Sequence, residues 1–386
     1  MSRQGELSTL TRNAVEVLPE GGLERKLALK RPLRVKLGID PTAPDIHLGF
    51  TVVLDRLAAF QRAGHTVVLI IGDYTARIGD PSGRSSERPV LPDEVLDLNA
   101  QLFAEQAFRT LDRERTEIRF NSEWLGKLSF AEVVRLTRTI TVARLLERDD
   151  FEKRFRAQAP ISLSELLYPP MQAYDSVAVE ADIEIGGSDQ LFNLLAGREV
   201  MPHYGLEPQV VITYPLLVGL DGADKMSKSK GNYVGVTEAP EEQFGKVMSI
   251  PDSALVQWWD LLIGEPPVND DPMESKLELG RRIVTRWHGE EAAVAAEEHF
   301  TRVVRQKEAP EHLEETVLPS GDPLHLPSLL VEFLGCVSTS EARRMITQGG
   351  VKLNGEVVYE LDLSRNRLDG ALVQAGKRRF ARFVAI

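Results

Sequence analysis

The sequence predicts an α/β fold in three parts: a parallel-sheet domain, a helical domain, and a small α+β domain. Two observations set the first part. Residues 33–39 are β-rich, 48–63 have helical periodicity closed by Gly64, and 66–71 are an unbroken apolar run. Such a run is how a strand covered on both faces of a parallel sheet reads, and strand–helix–strand in this order is a βαβ unit. A second α/β half follows, with a helix over 164–179, short strands over 182–185 and 209–213, and the tight loop Gly186-Gly187-Ser188-Asp189 opening another helix. The third observation is the compact tail. Ser338-Thr339-Ser340-Glu341 has the form of a capping box before a helix, and Asn354-Gly355 sits between apolar runs as a hairpin turn does.

The remaining elements fill this frame in order. Residues 7–18 read as a helix stopped by Pro19-Glu20-Gly21-Gly22. Asp40-Pro41-Thr42-Ala43-Pro44-Asp45 is a loop between the first strand and the first helix of the βαβ unit. The segment 122–160 reads as mostly helical and connects the two halves. Pro169-Pro170 is expected to bend the 164–179 helix or delay its start. Residues 240–307 are helical and amphipathic, with Trp258 and Trp259 as core. Acidic and proline residues over 308–325 suggest a linker. A final strand pair surrounds Gly376-Lys377-Arg378-Arg379-Phe380. The expected organisation is a Rossmann-type parallel-sheet domain over 1–232 with the connecting segment inserted, a helical domain over 233–307, the linker, and an α+β domain over 326–386.

Composition narrows the function classes. Hydrophobic content of 42% and charged content of 27% are ordinary for a globular protein. A single cysteine, Cys336, excludes an internal disulfide and any cysteine-built zinc site. No metal site is expected. Residues 1–6 carry no apolar signal segment and no window of about 18 apolar residues occurs, so a cytoplasmic protein with no membrane partner is expected. The net charge of −12 argues against general nucleic-acid binding by the whole chain. The tail differs: 326–386 hold nine Lys/Arg against six Asp/Glu. A basic tail on an acidic body suggests an electrostatic partner for the tail.

Two clusters carry chemistry. In Asp45-Ile46-His47-Leu48-Gly49-Phe50, His47 stands where a strand hands over to a helix. A helix start offers unpaired N–H groups and a positive dipole end, which suit phosphate, and a histidine there can bond a phosphate that gains charge in a transition state. Gly49 lets a base or ribose approach the backbone. Downstream, Lys225-Met226-Ser227-Lys228-Ser229 puts two lysines on a loop of small residues, where they can clamp a triphosphate as point charges. A His-x-Gly triplet or a lysine pair alone would be weak. The five-residue string with His47 upstream is specific.

This pair of signatures resembles those of the class I aminoacyl-tRNA synthetases. Asp80-Pro81-Ser82-Gly83-Arg84, Tyr168 with Gln172-Ala173-Tyr174-Asp175, and Gly186-Gly187-Ser188-Asp189-Gln190 resemble the bacterial tyrosyl members in type and order. The tail resembles the RNA-binding domain type first described in a ribosomal small-subunit protein. The resemblance implies two-step chemistry: L-tyrosine and ATP, the latter carrying Mg²⁺, give tyrosyl-adenylate, and tRNA(Tyr) accepts the tyrosine. By resemblance, Asp80, Tyr168 and Gln172 hold the tyrosine ammonium, Asp175 accepts from its phenol, and Gln190 lies near its carboxylate. Asp40 lies near the adenylate, and Gly187 and Asp189 contact the ribose. Thr42 and His47 stabilise pyrophosphate, with Lys225, Lys228, Arg84 and Arg88 as mobile cations. Arg343, Arg344, Lys352, Lys377, Arg378 and Arg379 are the expected RNA contacts. A homodimer is implied, its interface near the connecting segment. Tryptophanyl enzymes share the catalytic fold, but the basic tail and Asp175 point to tyrosine.

Two positions depart from the family pattern. Phe50 stands where a second histidine is usual, and ring packing against the nucleotide is expected of it. Lys36 stands on the first strand where many members place a tyrosine that donates to the substrate phenol. It is expected to donate the same bond or to pair with Asp175.

Overall fold

The structure, a computed structural model, describes residues 3–42, 45–80, 92–267, 269–302, 315–376 and 379–385. These fall into two compact units, one of residues 1–238 with 249–276, the other of 239–248 with 277–386. The stretch 233–307, expected as one helical domain, is thus shared between them. Trp258 and Trp259 are fully buried, as expected of core, and belong to the first unit.

The first unit is built on six strands: β1 (Glu16–Leu18), β2 (Arg34–Ile39), β3 (Thr66–Ile71), β4 (Thr116–Phe120), β5 (Ile183–Gly187) and β6 (Val210–Tyr214), in the order β1-β6-β5-β2-β3-β4. All neighbours are parallel except β1, which runs antiparallel along β6. Residues 67–71 of β3 have no exposure, which is why that segment has no polar alternation. The helix Leu48–Arg62 buries Leu54, Leu57 and Phe60.

Two sequence expectations change here. Residues 7–18 are not one helix. The helix stops at Leu10, Asn13 takes a left-handed φ of 61°, and Glu16–Leu18 becomes an edge strand whose partners are on β6. Its backbone bonds come from a segment nearly two hundred residues away, which local periodicity does not register. The prolines do not delay the second helix, which begins at Leu163 and runs to Ala178 with both inside it. The Glu165 carboxylate fixes its start by accepting from the Ser162 N–H (2.9 Å). Four short helices cover the connecting segment, Ser122–Leu125, Phe130–Thr137, Val142–Leu145 and Asp149–Arg156, as its composition suggested.

The second unit holds two clusters of core residues. One gathers Phe244, Leu277, Val284 and Ala296. The other closes the α+β tail, with Leu330, Ala342, Ile346, Val373 and Phe383 fully buried. The tail strands are β7 (Glu315–Val317), β8 (Leu324–His325), β9 (Val351–Leu353), β10 (Glu356–Val357), β11 (Asp362–Leu363), β12 (Leu372–Ala375) and β13 (Arg379–Val384). Five form a sheet in the order β10-β9-β12-β13-β7, and β11 pairs with β8. The linker expectation over 308–325 is corrected by β7, which pairs with β13, and by Leu318 and Leu324, which enter the core. A short edge strand bonds on one side only and so tolerates nearby proline. The Asn354-Gly355 turn has positive φ at both residues (49° and 89°), the requirement of a two-residue hairpin. The capping box is half-formed: Ser338 accepts from the Glu341 N–H (3.2 Å), while the Glu341 carboxylate turns to the Val337 N–H (2.7 Å). Among the described residues, no helix is long and apolar enough to cross a membrane.

Candidate active site

The parallel sheet has one point where adjacent strands lead away in opposite directions, β2 toward β3 and β5 toward β6. The connections diverge there and leave a crevice past the carboxyl ends of both strands. A cleft of about 890 Å³ occupies it. Asp40, Thr42, His47, Gly49, Asp80, Tyr168, Gln172, Asp175, Gly187, Asp189, Gln190, Lys225 and Lys228 all line it. Asp40 and Lys228 thus meet at one opening although far apart in sequence, because strand order brings β2 beside β5 and β5 beside β6. Arg84 and Arg88 lie outside the described residues.

One end of the cleft is rich in acceptors. Asp40 follows β2 and accepts from Tyr168 Oη (2.9 Å) and Thr75 Oγ1 (2.7 Å). Gly72 makes room for this pair, since a Cβ there would lie 2.2 Å from the Asp40 carboxylate. Gln190 donates to Asp80 (2.9 Å) and accepts from Asn193 (3.0 Å). Asp175 projects from the Leu163–Ala178 helix and accepts from Trp124 Nε1 (2.8 Å) and Asn121 Nδ2 (3.4 Å). Burial raises the Asp175 carboxyl to about 7, against the pull of Lys36 and of these two donors. Burial also holds the Tyr168 phenol protonated well beyond its ordinary range.

The other end is cationic. His47 caps the Leu48–Arg62 helix, its Nδ1 accepting from the Gly49 N–H (3.1 Å). Burial, with Lys228 and Lys225 adding to it, pushes the imidazole down to about 3. A neutral imidazole that accepts at Nδ1 carries its proton on Nε2 and remains a donor. Gly49 has a second use here: a Cβ would press on the His47 ring at 3.0 Å. Phe50 also lines the cleft, and its ring lies against His47 (centroids 4.5 Å apart) and edge-on to Phe103 (5.6 Å). The phenyl ring thus helps to desolvate the histidine.

The lysine loop is pinned by residues the motif does not contain. Buried Met226 donates its N–H to Leu217 (2.8 Å), and Asn232 accepts from the Ser227 N–H (2.8 Å) while donating to Asp221 (2.6 Å) and the Lys225 carbonyl (3.2 Å). Both lysines are engaged by carboxylates. Lys225 donates to Asp189 (2.6 Å), and Lys228 donates to Asp45 (2.9 Å) with the Tyr233 ring below it.

Lys36 requires a correction. It is fully buried and is not a wall of the cleft. Its ammonium contacts Glu184 (2.8 Å), Ser176 Oγ (2.8 Å) and the Gln172 carbonyl (3.1 Å). An ammonium has three donor positions, and two hydrogen bonds and one ion pair occupy its surroundings. Its ion-pair partner is Glu184, opposite it in the β2–β5 register, rather than Asp175. The sequence contained a signal for this pair: one charge in Val35-Lys36-Leu37 and its opposite in Ile183-Glu184-Ile185, both within buried strands. Asn121, Trp124 and Thr75 carried no such signal.

In the tail, Arg344 is exposed and Lys352 half-buried on β9. Arg343 lies 3.3 Å from His325 Nε2, and His325 Nδ1 lies 2.7 Å from Asp362. Arg379 donates to the carbonyls of Leu334 (3.3 Å) and Gly335 (3.0 Å), so it closes the end of the Leu326–Phe333 helix. Lys377 and Arg378 lie outside the described residues.

Residues 28–313 match the family model for class I tRNA synthetases (W and Y), and 326–360 match that of the S4 domain. The tyrosine–tRNA ligase of Moorella thermoacetica is 48% identical over 393 residues, spanning 98% of this chain and 95% of its own. That of Haemophilus influenzae is 49% identical over 389 residues, spanning 97% and 96%. Among solved structures, the tyrosyl-tRNA synthetase of Archaeoglobus fulgidus, complexed with L-tyrosine, is similar in fold. Its TM-score is 0.62 at 24% identity, covering 76% of this chain and 99% of that one. A C-terminally truncated mitochondrial tyrosyl-tRNA synthetase of Aspergillus nidulans gives 0.64 at 22% identity, covering 78% and 94%.

Proposed function

From the premise that the chain belongs to the tyrosine–tRNA ligases of the class I tRNA synthetase family, we propose a division of work among its cleft residues. The protein activates L-tyrosine with ATP to tyrosyl-adenylate and pyrophosphate, then transfers tyrosine to the terminal adenosine of its tRNA. The substrate carboxylate is the nucleophile, so no protein nucleophile is needed. Catalysis is positioning together with stabilisation of the charge that develops on pyrophosphate.

The observation that carries the assignment is a single cleft lined both by an acceptor-rich group of carboxylates and a phenol and by neutral His47 with two lysines. Asp80, Tyr168 and Gln172 offer the acceptors an ammonium needs, and Gln190, near the substrate carboxylate, holds Asp80 in place. Asp175 accepts a hydrogen bond from the phenol, which keeps its proton. Asp40 faces the adenylate. Gly187 and Asp189 take the ribose, the glycine because a Cβ would meet Leu216 at 2.7 Å and Asp189 at 2.8 Å. Thr42 and His47 Nε2 donate to pyrophosphate, joined by Lys225 and Lys228. The cleft carboxylates Asp40, Asp80 and Asp189 already accept from protein donors. Mg²⁺ would therefore enter on the phosphate oxygens of ATP, which supply most of its ligands. ATP–pyrophosphate exchange run separately with tyrosine, phenylalanine and tryptophan tests the reading: exchange supported by tyrosine alone is expected, and equal exchange with tryptophan overturns it.

The S4 domain supplies tRNA contacts through Arg343, Arg344 and Lys352. Because β7 belongs to the tail sheet, removal of residues 315–386 is the clean deletion. It is expected to leave pyrophosphate exchange within about twofold and to lower tRNA charging by about 10²-fold or more, the scale of losing several phosphate contacts. Undiminished charging would remove the tail from tRNA binding.

The working form is a homodimer in the cytoplasm, where its tRNA substrate is used. The connecting helices support the first point, since Phe130, Val142 and Phe155 are 83%, 59% and 63% exposed, as is Leu163 beyond them at 75%. Large apolar groups left in water favour a partner surface. Replacing Phe130 and Phe155 by aspartate is expected to shift sedimentation from dimer to monomer. A wild-type protein that sediments as a monomer at micromolar concentration excludes the dimer.

A further inference from the structure

Behind the amino-acid end of the cleft lies a charged network that the reaction does not itself require. Glu184 is 1% exposed, in the middle of β5, and its carboxylate is fully subscribed. One oxygen is ion-paired with Lys36 Nζ (2.8 Å) and accepts from Gln172 Nε2 (3.4 Å). The other accepts from Ser176 Oγ (3.2 Å) and Gln209 Nε2. A carboxylate has about four acceptor positions, and all are used. Ser176 accepts in turn from Lys36 (2.8 Å), and Lys36 reaches the Gln172 backbone carbonyl (3.1 Å). Gly197 makes the far contact possible, since a Cβ there would lie 2.5 Å from the Gln209 amide.

A buried ion pair contributes little net stability over a well-packed apolar pair, so its value lies in what it fixes. Here it fixes an amide. Glu184 only accepts, so the end of Gln172 that faces it must be the NH₂ group. The Gln172 side-chain oxygen is then the atom left for the cleft, and an ammonium can be bound only by an acceptor. With the NH₂ end turned to the cleft, two sets of N–H protons would oppose each other. We propose that Glu184, charge-balanced by Lys36, is a positioning residue for tyrosine: it holds the Gln172 amide with its oxygen toward the substrate ammonium. Glu184 lines the cleft but acts through Gln172, because its own acceptor positions are occupied. This rests on the assignment of Gln172 to the ammonium.

The test is a double-mutant cycle in pyrophosphate exchange with the full chain, reading KM for tyrosine, KM for ATP and kcat separately. Glu184→Gln introduces a donor opposite Gln172 and is expected to raise KM for tyrosine about tenfold, the scale of one hydrogen bond to a charged group. KM for ATP and kcat should stay within about twofold, a split that general loosening of the fold would not give. In a Gln172→Ala background the Glu184→Gln substitution should add nothing. An equal further rise in that background overturns the proposal, as does an unchanged KM for tyrosine in Glu184→Gln alone. A Gln172→Ala enzyme with unchanged KM for tyrosine overturns instead the placement of Gln172 on which the proposal rests. Should Glu184→Gln not fold, Gln209→Met removes one donor from the side away from the cleft. It is expected to raise KM for tyrosine in the same direction and by less, and no change in a folded Gln209→Met protein overturns the proposal.

Discussion

Replacing Lys225 or Lys228 by alanine is expected to lower kcat for adenylate formation by about 10²-fold each, with KM for ATP unchanged or reduced. Only contacts stronger in the transition state than in the ground state accelerate a step. The two lysines meet that condition because each has a partner before the nucleotide arrives, Asp189 for Lys225 and Asp45 for Lys228. Binding ATP exchanges one charge partner for another and yields little net affinity. As pyrophosphate leaves, charge grows on the side of the phosphates and the exchange becomes favourable. Lys225→Ala also frees Asp189 to accept from ribose, which is why ground-state affinity should not fall. Steady-state and single-turnover pyrophosphate exchange would measure both constants. A raised KM with kcat intact would make the lysines ordinary binding groups, and wild-type kinetics would remove the loop from the chemistry.

Asp175→Asn is expected to lower the ratio of kcat/KM for tyrosine over phenylalanine by about 10²-fold, corresponding to about 3 kcal/mol for a buried hydrogen bond to a charged group. Tyrosyl-tRNA synthetases are themselves the standard illustration of rejecting a substrate that lacks a hydroxyl without editing, since a buried polar group is left unpaired. Trp124 and Asn121 already donate to Asp175. An amide in its place must turn its own NH₂ toward one of them or toward the phenol. The wild-type enzyme should also show an acid limb in kcat/KM for tyrosine near pH 7, because burial raises the Asp175 carboxyl to about 7 and only the carboxylate is free to accept from the phenol without rearrangement. His47, held down to about 3, does not contribute to that limb. The limb should disappear in Asp175→Asn, and its persistence there would assign it to another group. The effect on stability has the opposite sign. A carboxyl raised from its ordinary value near 3.8 favours the folded state most at low pH, and that contribution is lost as pH rises from about 4 to about 7.

Periodicity made most of the first sheet legible. The runs that became β2, β3 and β6 are buried on both faces, and burial on both faces is written directly into composition. The edges were not legible. β4 is half-buried throughout and β1 lies where a helix was expected, because an edge strand owes its conformation to its neighbour. The same holds for β7 within the expected linker. In the cleft, the motif residues were found by their types and order, since a phosphate clamp or an ammonium site needs particular groups on short stretches of chain. Their own partners escaped. Asn232, Asn121 and Trp124 belong to no motif, and what makes them relevant is a distance.

By itself the sequence determined which chemistry the chain carries: a histidine at a helix start, a two-lysine loop, an acceptor-rich pocket and a basic tail. Those are properties of residue type and near spacing, and they persist in any fold that brings the segments together. The tertiary structure alone decided how each group is held and in what state. Lys36 could have faced the substrate or Asp175, and the pairing of β2 with β5 set it opposite Glu184 instead. Phe50 lines the cleft as the sequence allowed, and the fold also sets its ring against His47. The reason is physical. The energy of a buried charge or ring is set by the atoms within a few ångströms, and strand register, which no local segment encodes, chooses those atoms.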